Sequence, residues 1–158
     1  MTALSLYGHI GCCVDETPAS MAALEHAREL WVPGEGVLSL VHVAPVPLIV
    51  DSVDGESVAS PRDINAQERA WLDDLVRTVP GAVPVLLEGR PGPEIARWAG
   101  TAGVDLLVAA RHHGGWGAAV LGSVTRHLVD HAPCPVLVVR PDAVADAIHP
   151  PTRSEPTA

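Results

Sequence analysis

Five short, largely apolar runs punctuate this chain, and between them the apolar positions spread to a spacing of three and four. The runs predict strands at Ile10–Val14, Val37–Val43, Val83–Gly89, Val104–Ala110 and Pro135–Val139. Runs with no polar alternation fit strands covered on both faces. The spaced segments predict helices. Thr17 is a helix N-cap with Pro18 at the first helical position, followed by Met21, Leu24, Ala27 and Trp31 on one face. Ile64, Trp71, Leu72, Leu75, Val76 and Val79 mark a second helical face, and Pro93, Ile95, Trp98, Ala99 and Ala102 a third. Val124 and Leu128 belong to a fourth, which stops at HAPCP. Pro84 lies inside the third run, and a proline without an N–H favours an edge strand.

The order is β-α-β-α-β-α-β-α-β, which predicts an open parallel sheet with helices on both faces. Ligands of such folds sit beyond the carboxyl ends of the strands, where the strand order reverses. The stretch 44–61, rich in Pro, Ser, Asp and Gly without a period, is expected to be a long surface loop. From Pro141 onward the composition turns to Pro, Ala, Asp, Ser and Thr, so a domain over 1–140 and a disordered tail over 141–158 are expected.

At 158 residues one domain with a real core is expected. Charge narrows the function classes: 10 Lys and Arg against 19 Asp and Glu leave a net charge of −9, with no basic cluster. A nucleic-acid backbone is therefore not an expected partner. A small nucleotide remains compatible, because the amides of a helix N-terminus hold phosphate whatever the total charge. Three cysteines, Cys12, Cys13 and Cys134, make no disulfide framework. No apolar run reaches the ~20 residues of a membrane span, and the N-terminus lacks a basic segment followed by a long apolar one. A reducing cytoplasm is the expected compartment. With no Phe and one Tyr the core is aliphatic.

Candidate chemistry concentrates in ARHHGGWGAAVLGSVT, residues 110–125. Gly122 and Ser123 open the last helix, where free N–H groups and the dipole favour an anion, although the same pair would cap a helix without one. His127 and His131 stand four apart, a metal-ligand spacing, but no Glu lies beside the first and His131 is where a helix dipole favours histidine. No metal site is assigned to them. There is no nucleophile elbow, Walker lysine or spaced carboxylate pair, so an enzyme is not expected.

The segment HGGWGAAVLGSVTRHLVDHAPCPVLVVR resembles the closing motif of the universal stress proteins. IGCCVDETPAS is similar to that family's first strand and VDxSxxS-type turn, LVHVAP to its second strand, and LLEGRPGPEIARWAGTAGVDLLVAA to the strand, helix and strand that follow. The resemblance spans Ile10 to Arg140 and implies an open sheet in the order 3-2-1-4-5. It implies an ATP-binding sensor or regulator in stress response, with or without Mg2+. Asp15 would meet the ribose, the backbone of Cys13 would lie near the adenine, the backbone of Val43 would read the adenine edge, and Val14 would belong to the same binding set. In nucleotide-binding members the fourth strand ends in G-x-x-G, then nine residues, then G-S or G-T, and this loop wraps the phosphates. Counting back from Gly122-Ser123 puts Ala109 and His112 at the two glycine positions. Arg111, His112, Ser123 and Val124 complete the implied binding set. Glycine serves such loops through close backbone approach and positive φ, which costs other residues ~1–2 kcal/mol. Arg111, His112 and His113 offer side-chain donors to phosphate instead, or plug the site. The alternative reading is therefore a dimeric, ligand-free interaction module of the same fold. In the implied order the uncharged last strand is an edge, which predicts a homodimer through antiparallel pairing of two copies.

Overall fold

The structure, a computed structural model, describes residues 5–46, 61–111 and 121–141. Nine elements alternate as expected: β1 His9–Cys13, α1 Pro18–Leu30, β2 Val37–Ala44, α2 Pro61–Arg77, β3 Val83–Glu88, α3 Pro91–Ala102, β4 Leu106–Ala110, α4 Ser123–His131 and β5 Val136–Val139. All strand pairs are parallel, in the order β3-β2-β1-β4-β5. Pro84 accordingly lies on an edge strand, and the last strand forms the opposite edge.

Two apolar layers cover the sheet because successive side chains of each strand face opposite ways. Ile10, Cys12, Leu38, Leu40, Leu106 and Val108 pack with Met21 and Leu24 of α1 and with Leu72 and Leu75 of α2. Val41, Leu107 and Ala109 pack on the other face with Ile95 and Ala99 of α3 and Leu128 of α4. Each fully buried leucine of these layers stabilises the fold by ~1.5–3 kcal/mol relative to exposure. The second layer needs small residues at two contacts. A Cβ on Gly11 would lie 2.9 Å from Trp98 Cζ3, and one on Gly92 would lie 2.8 Å from His127 Cβ.

Caps set the boundaries. Thr17 accepts from the Ser20 N–H at 3.3 Å with Pro18 following, as expected. The fourth strand begins at Leu106 and not at Val104, because Gly103 ends α3 in the left-handed region (φ 67°) and the Val104 N–H closes onto Ala99 O at 3.0 Å. The third strand stops at Glu88, one residue short of Gly89, whose φ is 124°. The first strand starts one residue early, at His9, which pairs with Val37. Most of the expected loop and tail, residues 47–60 and 142–158, lies outside the described residues, as does His112.

Candidate functional site

The chain leaves β1 toward β2 on one side and leaves β4 toward β5 on the other, so the carboxyl ends of β1 and β4 diverge. A crevice at such a point follows from the topology alone. A cleft of about 550 Å3, open to solvent, lies there. Cys13, Val14 and Asp15 line it from β1, Val41, His42 and Val43 from β2, and Ala109 and Ala110 from β4. Ser20, Pro91, Ile95, Val124 and Thr125 close it from three helices.

Hydrogen bonds fix the turn after β1. Asp15 Oδ1 accepts from the Thr17 N–H at 2.8 Å and from the Thr17 hydroxyl. The Asp15 N–H donates to Ser20 Oγ at 3.1 Å, while the Ser20 hydroxyl lies 2.7 Å from Asp15 O. Asp15 is thus a turn carboxylate that also reaches the cleft. The neighbouring Cys13 thiol is pushed up from 9.0 to about 12, by burial first and then by the Asp15 carboxylate and Cys134. It stays protonated at neutral pH, and a neutral thiol is a poor nucleophile. All three cysteines are free, and burial also raises the Cys12 and Cys134 thiols.

The sequence expectation divides among these positions. Cys13, Val14, Asp15, Val43, Ala109 and Val124 converge on the cleft. Gly122 and Ser123 stand just before Val124 and Thr125, outside the lining, and Gly122 caps α4 with no side-chain bond. Arg111 continues the β4 ladder, its N–H donating to Val139 O at 2.9 Å. Its Nε is buried and has no hydrogen-bond partner among the described residues. His127 and His131 stack with ring centroids 4.3 Å apart, and His131 Nδ1 bonds the His127 carbonyl at 3.1 Å. Among the described residues, no group of three or more His, Cys, Asp or Glu is placed to hold a metal. No described helix is long and apolar enough to cross a membrane.

Thr125 and His42 on the cleft wall, and Glu68 behind His42, were not singled out from the sequence. Thr125 donates to Ala110 O at 2.9 Å and ties α4 to the end of β4. His42 sits in a buried strand, and Glu68 falls on the apolar stripe of α2 beside Trp71, Leu72 and Leu75. A histidine and a glutamate at positions that periodicity reserves for apolar side chains were the available signal, since such groups are buried only when paired. Their rings and oxygens do meet: His42 Nδ1 lies 2.9 Å from Val14 O and Nε2 2.6 Å from Glu68 Oε2.

Comparison with known proteins gives the same architecture a family. The profile described as Universal stress protein family matches residues 6–140. A Thermus aquaticus relative, named universal stress protein in QAH/OAS sulfhydrylase 3'region, is 33% identical over 124 residues, covering 77% of this chain and 90% of that protein. The solved universal stress protein UspA from Lactobacillus plantarum superposes with a TM-score of 0.64 at 25% identity, over 85% of this chain and 98% of that one. An Arabidopsis thaliana universal stress protein family protein, solved with AMP bound, shares the fold with a TM-score of 0.58 at 20% identity, over 84% and 90% of the two chains. The chain belongs to the universal stress protein family.

Proposed function

We propose that this protein binds an adenine nucleotide, ATP or a relative of it, at the carboxyl edge of its sheet, and acts as a sensor or regulator in stress response and not as a catalyst. The convergence of Cys13, Val14, Asp15, Val43, Ala109 and Val124 on one cleft carries this reading. An apolar floor of Val41, Val43 and Ile95 suits a base, with Asp15 as acceptor for ribose hydroxyls. The unpartnered Arg111 Nε and the first amides of α4 are donors for phosphate. A Mg2+ ion would ride on the phosphates, since no described cluster gathers to hold it. AMP in the Arabidopsis relative supports the ligand class.

Copurifying nucleotide, identified after denaturation, is the direct test. In calorimetric titration with ATP, Asp15→Ala should weaken binding about tenfold or more, the loss of a hydrogen bond to a charged acceptor. Equal affinity would leave Asp15 as a turn residue alone.

A ligand-free interaction module remains the second reading, favoured by the Ala109 methyl on the cleft wall where nucleotide-binding members carry glycine. In either case we infer a homodimer through β5, whose Val136, Leu137 and Val138 are half-buried on an open edge. Light scattering at micromolar concentration should return twice the chain mass, and Leu137→Pro should halve it.

A further inference from the structure

His42 poses a question of its own. Its strand neighbours on the same face, Leu38 and Leu40, are fully buried in an aliphatic layer, yet His42 is buried there too. Both of its ring nitrogens are engaged. The Val14 carbonyl can only accept, so Nδ1 carries a hydrogen and donates at 2.9 Å. Nε2 then faces Glu68 Oε2 at 2.6 Å, a contact that requires a proton between the two atoms. Whether that proton sits on nitrogen or on oxygen, the pair carries no net charge, which suits its burial. The Trp71 ring packs on the imidazole, centroids 4.9 Å apart.

The acceptor is as informative as the donor. The Val14–Asp15 peptide is the last link before the cleft carboxylate, and it is held from both sides: His42 donates to its carbonyl and Ser20 Oγ accepts from its N–H. The direction in which Asp15 leaves β1 depends on that peptide plane. His42 and Ser20 both line the cleft, while Glu68 stands behind His42, outside the lining. A carboxylate that fixes the tautomer and tilt of a histidine from behind is a recurrent way of orienting the group in front of it.

We propose that Glu68 and His42 are positioning residues: through one shared proton they hold the Val14–Asp15 peptide in the orientation a ligand meets, so that α2 governs ligand affinity from outside the cleft. The affinity half of this rests on the nucleotide reading above; the hold on the peptide does not.

Two variants of Glu68 test it. Glu68→Ala removes the partner of Nε2 and frees the ring to turn. Glu68→Gln keeps a donor, since its amide N–H reaches Nε2 while Nδ1–H stays on Val14 O. In calorimetric titration with ATP, Glu68→Ala should weaken binding about fivefold or more, and Glu68→Gln should recover affinity to within about twofold of the parent. In the ligand-free proteins, hydrogen exchange at the Asp15 amide should quicken about tenfold in Glu68→Ala and stay near the parent rate in Glu68→Gln. If Glu68→Ala does not fold, Glu68→Met, which fills the space without a hydrogen bond, takes its place. Parental affinity and exchange in the Ala or Met variant would overturn the proposal, as would a Gln variant as impaired as Ala. If the parent itself binds no ATP, the nucleotide reading falls together with the control of affinity. The exchange comparison then decides separately whether the pair holds the peptide.

Discussion

The two ends of the parallel sheet treat polar groups in opposite ways. At the amino end, His9 is consumed on every side: its N–H donates to Asp105 Oδ2 at 2.9 Å, and its ring bonds Ala102 O at 3.2 Å and Ser39 Oγ at 2.9 Å. The Asp105 N–H returns to His9 O at 2.8 Å, and Trp98 meets the imidazole edge-on at 5.8 Å. At the carboxyl end a cleft opens. Among the described residues, two buried polar side-chain atoms, Arg111 Nε and Asn65 Oδ1, have no hydrogen-bond partner, and both lie near the strand ends there. A buried group left unsatisfied costs ~1–3 kcal/mol, so such groups are rare and ask for an explanation. Their confinement to the end that carries the cleft teaches where stability and function part company: one end is closed by its own bonds, the other holds bonding capacity for something else.

The largest test of that contrast is His9→Ala. It removes the two hydrogen bonds of the ring and its edge contact with Trp98, leaves the backbone bond to Asp105 in place, and should lower unfolding free energy by about 2–3 kcal/mol. Nucleotide affinity should not change, because the cleft lies at the other end of the strands. A loss of affinity matching the loss of stability, measured by denaturant titration beside calorimetry, would mean that the two ends are coupled and the contrast is only local.

Arg111→Met makes the opposite prediction. Its stability should stay within about 0.5 kcal/mol of the parent or rise, since the change removes a buried unpaired donor. ATP affinity should fall about tenfold, with the gap between variant and parent narrowing at high salt. A destabilised Arg111→Met with unaltered binding would assign the arginine to the fold and leave the phosphates to the amides of α4.

The same contrast explains what the sequence made legible. Apolar runs located every strand, and Pro84 correctly marked an edge, because both signals are local. Cys13, Asp15, Val43 and Ala109 were expected at the site from the family resemblance, and they stand at or just past strand ends, on the wall of the cleft. The start of β4 was misplaced by two residues because the αL turn at Gly103 keeps Val104 bonded to Ala99, and Val104 looks like strand by composition. His42 and Glu68 were missed for a different reason. They are 26 residues apart, each an isolated exception to its own periodicity, and only the packing of α2 on β2 brings them together. Thr125 and Ala110, 15 apart, are the same case on the other face. Hydrogen bonds between elements leave no periodic trace.

The smallest expected effect concerns how dry the cleft floor is. Cys13 lies half-buried at the end of β1, with its thiol raised to about 12. A folded thiol that stays protonated while the unfolded one ionises near 9.0 stabilises the fold below that pH and loses its contribution as pH rises from 9 toward 12. At about pH 10 the unfolded chain has released most of this proton and the folded chain has not, a difference of about 1 kcal/mol. Cys13→Ala removes that titration while leaving Cys12 and every other alkaline group in place. The fall in unfolding free energy between about pH 8 and about pH 10 should therefore be smaller in the variant by about 1 kcal/mol. Thiol chemistry gives an independent readout: iodoacetamide at about pH 8 should modify Cys13 far more slowly than a free cysteine, because the thiolate fraction is minute. A Cys13 that labels at the free rate, with an unchanged alkaline slope in Cys13→Ala, would mean that water reaches the floor of the cleft. Asp15 would then sit in a solvated turn, and an acceptor already satisfied by water gains little from a ribose hydroxyl.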